Sequence, residues 1–575
     1  MRRWEWWFGL VAAIGLAIAS QANSSDDHEW WKAAVIYEIY PRSFQDSNGD
    51  GIGDLNGITQ RLDYLKSLGV DAIWIAPMYP SPQVDFGYDV ADYEAVDPQY
   101  GSLADLDHLL AEAQKRQIRV ILDMVLNHTS DQHPWFVAAS SARANSFHDF
   151  YVWSDGRTGP NGRHLPPNNW VSMFGGPAWE YVSGVNQYYY HAFYSAQPDL
   201  NWRNPAVEKA MFEAMRFWLD RGVAGFRLDA VPALFEDRRL RDEADLKGHP
   251  TLEDMRNASH QYTYNLPEVH QVMRRLRAMM AHYPGDRVLI GETDLPTTRS
   301  MDAWYGGARH DELQLTMDML IGFHNKLDAP TFRRLLQEAN SQLHGSQPLF
   351  VFDNHDNPRS WDRYGDGKHD DQIARLLATL LLTSKAGVLL YQGEEIGQRT
   401  VTPTRIEDVK DPIGIVGWPK EKGRDGERTP MQWDTSNAQA GFSTNATTWL
   451  PVPENYRAVN VQSELADPQS LLNWYKKLIL MRHTLSCLRH GSVVLLGENN
   501  SSVLSYARVN RQGESVVVVL NMSAIPQNIA LDFSAAGIKG HTVETLLAYP
   551  GASGILQTRQ NIQVAPFGTW VARIH

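Results

Sequence analysis

Short apolar segments alternate with helical patterns between residues 34 and 395 of the chain. Stretches 103–117, 205–221 and 371–383 have the apolar spacing of amphipathic helices. The apolar segments have the length of buried strands, and there are eight of them: 34–40, 71–77, 119–126, 225–230, 287–293, 313–319, 348–356 and 387–395. Eight strands that alternate with helices predict an α/β fold, the parallel (β/α)8 TIM barrel.

Two intervals break this alternation. Residues 129–202 are rich in Trp, Tyr, Gly, Asn and Pro and are too long for a simple loop, so they predict a subdomain inserted after strand 3. Residues 491–575 contain short alternating segments such as "ESVVVVLNM" with no helical pattern between them, which predicts a C-terminal antiparallel β domain. The barrel then consists of residues 23–128 and 203–490.

The N-terminus has the pattern of an export signal. Two arginines follow Met1, an apolar run extends to about Ala19, and small residues follow it. We predict a signal peptide over residues 1–22 and a protein exported to the periplasm or the medium. A membrane anchor is the alternative, but the run is shorter than the roughly 20 apolar residues of a spanning helix. Once the signal is removed, we expect no membrane association.

Charge and cysteine content narrow the function classes. The formal net charge is −14 at pH 7, which excludes the basic footprint of a nucleic-acid binder and suits a neutral substrate or a bound cation. Cys487 is the single cysteine, so the exported chain has no internal disulfide.

Charged residues stand at the ends of four predicted strands. Arg227 and Asp229 are two residues apart in "GFRLDA" and therefore point to one face of the strand. Strands 3, 5 and 7 end in His128, Glu292 and the pair His355-Asp356. In a (β/α)8 barrel the carboxyl ends of the strands meet at the catalytic face. Each residue alone could be an ion pair or a cap, but four strands that end in the same way predict one catalytic site.

Paired carboxylates at such a face predict glycoside cleavage. One carboxyl donates a proton to the leaving oxygen, while the other acts as nucleophile or activates water, depending on their separation. We expect Arg227 to lower the pKa of Asp229 and keep it ionised as the nucleophile, which leaves Glu292 as the acid/base.

Seven short motifs extend this prediction: "DFGYDV" (85–90), "DMVLNH" (123–128), "QPDLNW" (197–202), "GFRLDAV" (225–231), "IGET" (290–293), "FDNHD" (352–356) and "GRDGERTPMQW" (423–433). In this order they resemble glycoside hydrolase family 13, the α-amylase family, and within it the α-glucosidase and oligo-1,6-glucosidase branch. The resemblance runs from about Trp30 to the C-terminus. It implies an exo-acting retaining α-glucosidase that forms a covalent glucosyl-enzyme intermediate, with small α-glucosides as partners and no organic cofactor.

The resemblance also implies residue roles. Asp229 would be the nucleophile, Glu292 the acid/base, and Asp356 the third carboxylate, which stabilises the oxocarbenium-like transition state. Asp89 and Arg428 would grip the non-reducing end of the glucose and close the pocket. The full set of substrate-binding residues that we expect is Tyr88, Asp89, His128, Phe174, Arg227, His355, Arg359 and Arg428.

The loop "DSNGDGIGD" (46–54) spaces oxygen ligands as in a calcium loop. Its twelfth position is Gly57, where an EF-hand has Glu, so the loop is not an EF-hand. The resemblance implies a structural Ca²⁺, with Mg²⁺ or an ion-free turn as alternatives. The expected ligands are Asp46, Asn48, Asp50, the Ile52 carbonyl and Asp54.

Ala230 follows the expected nucleophile directly. In this branch a valine at that position accompanies α-1,6 preference, so alanine favours α-1,4 substrates such as maltose. A methyl-scale change in a pocket discriminates by only about 1–3 kcal/mol, so α-1,6 preference stays an alternative. Transglucosylation, action on sucrose or trehalose, a non-catalytic carbohydrate-binding or transporter-associated homologue, and the oligomeric state also stay open.

Overall fold

The computed structural model describes residues 29–575 except 247–250, 252–253, 256, 498–499, 534–536, 539–541, 552–553 and 557–561. The predicted signal peptide, residues 1–22, lies outside the described residues. No helix within the described part of the chain is both long and apolar enough to cross a membrane.

Eight parallel strands close into a barrel in which each strand pairs with its neighbours in the chain. The barrel closes where Val35 of the first strand pairs with Val388 of the last. The predicted α/β fold is therefore confirmed. The strands are β1 Val35–Ile39, β2 Ala72–Ile75, β3 Arg119–Val125, β4 Gly225–Asp229, β5 Val288–Gly291, β6 Leu315–Asp318, β7 Leu349–Val351 and β8 Gly387–Tyr391.

Helices surround the barrel and begin and end at recognisable residues. Asn204 caps one of them by accepting a hydrogen bond from the Ala206 amide, Pro205 occupies its first position, and Gly222 ends it at φ 103°. The longer helices are Leu62–Leu68, Leu103–Lys115, Pro205–Arg221, Val269–Met280, Thr298–Trp304, Ala329–Gln342, Asp370–Thr383 and Leu471–Thr484. The shorter ones are Pro41–Phe44, Leu55–Gln60, Pro134–Ala139, Met319–Gly322, Ser360–Tyr364, Pro412–Gly417, Val461–Ala466 and Ser486–His490.

The barrel interior changes from apolar to charged toward the carboxyl ends of the strands. Ile36 and Ile121 belong to the apolar cluster inside the barrel. Two residues later on the same faces come Glu38 and Asp123, both buried. This alternation delivers charged side chains to one end of the barrel. Gly225 lets β4 approach β5, because a Cβ there would lie 2.0 Å from the Val288 carbonyl oxygen.

The segment between β3 and β4 forms small antiparallel sheets. Trp153–Ser154, Gln187–Tyr190 and Trp179–Val182 form one sheet, and Arg157–Thr158 pairs with His164–Leu165. The segment adjoins the carboxyl end of β3, where the Leu200 amide donates to the Asn127 carbonyl at 2.8 Å.

The C-terminal region is an antiparallel β domain, as predicted. Arg508 joins it to the barrel by donating to the Thr383 carbonyl at 2.8 Å. A six-stranded and a two-stranded sheet contain β9 Ser492–Leu496, β10 Val503–Val509, β11 Ser515–Asn521, β12 Gln527–Ile529, β13 Val543–Tyr549, β14 Gly554–Leu556, β15 Ile562–Val564 and β16 Thr569–Ile574. The domain boundaries at residues 128, 202 and 490 stay predictions.

Candidate active site

A pocket of about 550 Å³ opens at the carboxyl end of the barrel strands. Barrel loops and the inserted segment both contribute to its wall: Asp85, Tyr88, His128, Met173, Phe174, Phe193, Asp229, Ala230, Glu292, Asp356, Asn357, Pro358, Ile413, Glu421, Gly423, Arg424 and Glu427. A larger cavity of about 1020 Å³, which Asp71 and Arg119 help to line, contains none of the predicted site residues.

Arg227 holds three carboxylates together at the bottom of the pocket. Its Nη1 donates to Asp229 Oδ1 at 2.6 Å and to both oxygens of Asp123 at 3.1 Å. Its Nη2 lies 2.7 Å from Glu292 Oε2, which also accepts from the Ala230 amide at 2.9 Å. Asp123 joins this cluster although it is not among the site residues predicted from the sequence. Its signal was an acid two residues after Ile121, on the inward face of β3.

This geometry corrects the expectation that Arg227 brings the pKa of Asp229 below its ordinary value. Burial raises the pKa of the Asp229 carboxyl above its ordinary value, although Arg227 acts in the opposite direction. Burial likewise raises the pKa of Glu292 to about 7, again against Arg227. Arg227 is shared between the two groups, so it is not what distinguishes a nucleophile from an acid.

Asp356 has a different electrostatic environment. Burial alone would raise the pKa of its carboxyl, but the guanidinium charges of Arg424 and Arg428 bring it below its ordinary value. Its Oδ1 accepts from Arg428 Nη2 at 2.7 Å and from Arg424 Nη1 at 3.0 Å. Asp356 is therefore a stable negative charge at the pocket wall.

Both predicted histidines are buried and neutral. Burial lowers the pKa of His128 to about 3 and that of His355 to about 3. His128 lines the pocket, and its Nε2 lies 3.2 Å from the Tyr88 carbonyl oxygen. His355 lies behind the wall, with Nε2 2.8 Å from the hydroxyl of Tyr88 and 3.2 Å from Asp356 Oδ2.

The structure places Asp89 outside the pocket. Its carboxylate accepts from the Ser81 hydroxyl at 2.8 Å and from the amides of Val84 and Asp85 at 2.9 Å, and its side chain is fully buried. Asp89 thus orders its own loop. The assignment of Asp89 to the glucose end of the pocket is wrong.

Asp85 and Arg424 occupy the place that we expected for Asp89 and Arg428. Arg424 Nη2 lies 2.8 Å from Asp85 Oδ1, and both residues line the pocket. Asp411 supports Arg424 by accepting from its Nε at 2.8 Å. Arg428 is fully buried and donates through Nε to the His355 carbonyl at 2.7 Å, so it holds the Asp356 segment from behind.

Arg359 is also displaced from its expected role. Its Nη1 and Nη2 donate to the carbonyls of Gln392 and Glu427, each at 2.9 Å, and its guanidinium lies 4.7 Å from the ring centre of Tyr391. Because these bonds join three loops and the side chain is fully buried, Arg359 supports the wall and does not line it.

Phe174 and Ala230 both line the pocket. Phe174, from the inserted segment, lies with its ring centre 5.3 Å from the Arg424 guanidinium and 5.4 Å from the ring of Phe193. Ala230 has a left-handed backbone, with φ 41° and ψ 35°. This conformation aims the Ala230 amide at Glu292 while its methyl group lines the pocket.

The oxygen groups of loop 46–54 are engaged within the loop. Asp46 Oδ1 accepts from the amides of Asn48 and Gly49, Asp50 Oδ1 from that of Ile52, and Asp54 Oδ2 from that of Ser47. Within the described ranges, no group of three or more His, Cys, Asp or Glu could hold a metal ion. Oxygen-only donors suit Ca²⁺ or Mg²⁺ chemically, although each carboxylate oxygen of Asp46 already accepts two hydrogen bonds.

Comparison with known proteins identifies the family. A family model described as alpha amylase, catalytic domain, matches residues 38–491. The chain belongs to the α-amylase family. This member of the α-amylase family is similar to a probable α-glucosidase of Rhizobium meliloti (strain 1021), with 42% identity over 514 residues that cover 86% of this chain and 90% of the relative.

Two further relatives agree with this assignment. An oligo-1,6-glucosidase of Parageobacillus thermoglucosidasius is 39% identical over 526 residues, which cover 86% of this chain and 90% of the relative. The crystal structure of the α-glucosyl transfer enzyme XgtA has a TM-score of 0.84 at 36% identity, covering 95% of this chain and 99% of that chain. The predicted α-glucosidase and oligo-1,6-glucosidase branch is confirmed, and the protein is a glycoside hydrolase of the α-glucosidase class.

Proposed function

We propose that the protein is an exo-acting retaining α-glucosidase that removes terminal α-1,4-linked glucose from maltose and short oligosaccharides. The observation that carries the proposal is the Arg227 guanidinium, which bonds both Asp229 and Glu292 at the bottom of a single pocket. Retaining enzymes place their two carboxyls about 5–5.5 Å apart, and inverting enzymes place them farther apart to leave room for a water molecule. Two carboxyls that bond one guanidinium favour the shorter separation.

In the proposed first step Asp229 attacks the anomeric carbon while Glu292 donates its proton to the glycosidic oxygen. The C–O bond to the leaving sugar breaks, and a glucosyl ester to Asp229 forms. In the second step Glu292 takes a proton from water, whose oxygen displaces Asp229 and regenerates both carboxyls. One guanidinium cannot balance Asp123, Asp229 and Glu292 together, so the cluster retains a proton for the first step.

Asp356 supports the same reaction through its charge. The positive charge that develops on the sugar ring lies in a pocket that excludes bulk water, where a fixed anion stabilises it more strongly than in solution. The cations around Asp356 keep it ionised at every pH at which the enzyme would work.

Exo action rests on the Asp85–Arg424 ion pair. A charged pair with converging donors and acceptors suits the hydroxyls at the non-reducing end of one glucose. Because Asp411 and Phe174 hold Arg424 in place, the pair forms a rigid wall there. A chain that continued past this glucose would have to displace a buried ion pair.

A second candidate activity is glucosyl transfer to an alcohol. Met173, Pro358 and Ile413 line the same pocket and present apolar surface. Such a surface favours an organic acceptor over water in the second step. The similarity to the α-glucosyl transfer enzyme XgtA supports the same possibility for this chain.

We also propose a structural Ca²⁺ in loop 46–54, with Mg²⁺ as the alternative. The ligands would be Asp46, Asn48, Asp50, the Ile52 carbonyl and Asp54, whose chemistry suits a hard cation. The N-terminal pattern of residues 1–22 supports export to the periplasm or the medium.

The test is glucose release by the purified protein from maltose, isomaltose, sucrose and trehalose. The proposal predicts the highest kcat/KM on maltose and loss of turnover in Asp229→Asn, with an unchanged circular dichroism spectrum. A preference for isomaltose would overturn the linkage but keep the mechanism. Wild-type rates in the Asp229→Asn variant would overturn the mechanism.

A further inference from the structure

Glu38 is a buried carboxyl that the proposed reaction does not use. It lies on the inward face of β1, is fully buried, and its Oε2 has no hydrogen-bond partner. Its Oε1 is 2.6 Å from Nδ1 of His355, whose other ring nitrogen reaches Tyr88 and Asp356. A chain of polar contacts therefore connects Glu38 to two residues that line the active-site pocket.

The hydrogen atoms of this chain can be placed by elimination. Asp123 Oδ2 receives the indole N–H of Trp74 at 3.2 Å and Nη1 of Arg227 at 3.1 Å. An oxygen with these donors around it is a carboxylate acceptor, so the Tyr88 hydroxyl donates its single hydrogen to it at 3.1 Å. The Tyr88 oxygen then accepts from His355, whose Nε2 must carry a proton.

A proton on Nε2 leaves Nδ1 as an acceptor when the imidazole is neutral. Burial lowers the pKa of His355 to about 3, which keeps the ring neutral. Burial also raises the pKa of Glu38 well above its ordinary value, against the attraction of Arg227. The contact between Glu38 Oε1 and His355 Nδ1 therefore contains one hydrogen, and it belongs to the carboxyl. The same Glu38 oxygen also accepts from the His355 backbone amide at 3.3 Å.

We propose that Glu38 is a positioning residue: it donates a proton to Nδ1 of His355 and so fixes the ring proton on Nε2, which points at Tyr88 and Asp356. In the opposite tautomer, the Nε2 lone pair would face the Asp356 carboxylate at 3.2 Å and repel it. The tautomer lets His355 hold Asp356 and Tyr88 by donating. The catalytic part of this inference rests on the proposed function.

The substitutions Glu38→Gln and Glu38→Leu separate this role from a general structural one. The glutamine amide also donates to Nδ1, so we expect kcat and KM within about threefold of wild type. Leucine leaves Nδ1 buried without a donor, and kcat should fall about 10- to 100-fold with a smaller change in KM. Glu395→Gln is the matched control, because Glu395 is equally buried but accepts from Tyr37 and Tyr64 away from the pocket.

Three kinetic outcomes would overturn the proposal. A large loss of kcat in Glu38→Gln would show that the carboxylate charge is needed. An unchanged kcat in Glu38→Leu would show that the contact with His355 has no effect on catalysis. A loss of kcat in Glu395→Gln equal to that in Glu38→Leu would show a general packing effect.

A long-range ¹H–¹⁵N spectrum of wild-type protein with ¹⁵N-histidine, assigned with His355→Asn, decides the tautomer of His355. This measurement depends neither on activity nor on whether the leucine variant folds. A proton on Nε2 supports the proposal, and a proton on Nδ1 overturns it. A wild-type protein inactive on α-glucosides would refute the proposed function, while this spectrum would still decide the role of Glu38.

Discussion

Replacing Glu292 with glutamine should inactivate the enzyme and at the same time stabilise its fold at alkaline pH. The proposed reaction uses Glu292 as an ionisable acid/base, yet burial raises its pKa from 4.5 to about 7, which means that the fold disfavours its charged form. Glutamine has nearly the same shape and no charge. Arg227 stays paired with Asp123 and Asp229 in the variant, so no buried cation is left alone.

The magnitude follows from linkage between protonation and folding. A carboxyl whose pKa is raised in the folded state does not lower the stability of the fold below about pH 4, where it is protonated in both the folded and the unfolded states. The loss of stability grows as the pH rises from the unfolded-state pKa to the folded-state pKa, and it is complete above pH 7. The rise in the pKa of Glu292 from 4.5 to about 7 corresponds to a loss of about 3 kcal/mol of folding free energy when the carboxyl is fully ionised. A barrel of roughly 450 residues unfolds with an entropy near 1 kcal/mol/K, so the melting temperature should rise by about 3 °C at pH 8.

Differential scanning fluorimetry of the wild type and Glu292→Gln at pH 4 and pH 8 measures this effect. We expect less than 1 °C of difference at pH 4 and about 3 °C at pH 8. Glu213→Gln is the control, because Glu213 is exposed and should change the melting temperature by less than 1 °C at either pH. A shift of equal size at both pH values, or a destabilised variant at pH 8, would refute the desolvation argument.

Three further tests use other substitutions or removal of the proposed metal. Asp85→Asn should lower kcat/KM for maltose about 100-fold, because it breaks the ion pair with Arg424. Asp89→Asn should instead lower the melting temperature and leave KM within about threefold of wild type. If initial rates and melting curves do not distinguish the two variants, the assignment of Asp85 to the pocket and Asp89 to its own loop is contradicted. Ala230→Val should reduce kcat/KM for maltose about 10- to 200-fold relative to isomaltose, because the larger side chain narrows the pocket; an unchanged ratio would remove Ala230 from the specificity argument. The wild type in EDTA should be less stable, by up to about 2.7 kcal/mol, than the wild type in calcium at 100 times its Kd. Asp50→Ala should remove this difference between the two conditions. A wild-type melting temperature that EDTA does not change would refute the calcium site.

The barrel was predictable because its signals are local and repeated. Eight short apolar segments that alternate with helical stretches are the pattern of a (β/α)8 barrel, and each of the eight segments contains one of the barrel strands. The residues Asp229, Glu292 and Asp356 were also accessible from sequence, because position at a strand end determines the face to which a side chain belongs.

The part of the pocket wall that contains Asp85 and Arg424 was not predictable in the same way. Asp85 and Asp89 are four residues apart in a loop that turns sharply at Phe86 and Gly87, with φ 46° and 109°. Spacing in an irregular loop has no fixed direction, so the sequence could not decide which of the two carboxylates faces the pocket. For the same reason the sequence could not decide which of Arg424 and Arg428, also four residues apart, lines the pocket.

Arg227 bonds carboxylates from neighbouring strands because of the way in which the strands pair. Ile121 of β3 and Val288 of β5 both pair with Gly225 of β4, and this register brings Asp123 and Glu292 to either side of the Arg227 guanidinium. The sequence showed the pair Arg227 and Asp229 within one strand but not the neighbours across the sheet. The electrostatics of the site therefore required the structure.

In the proposed reaction a covalent intermediate on Asp229 leads to retention at the anomeric carbon. Time-resolved ¹H NMR of maltose hydrolysis measures retention directly, because α-glucose and β-glucose give separate anomeric signals before mutarotation mixes them. We predict that α-glucose appears first and that Asp229→Asn produces neither anomer. Initial release of β-glucose would show direct attack by water and contradict the covalent mechanism.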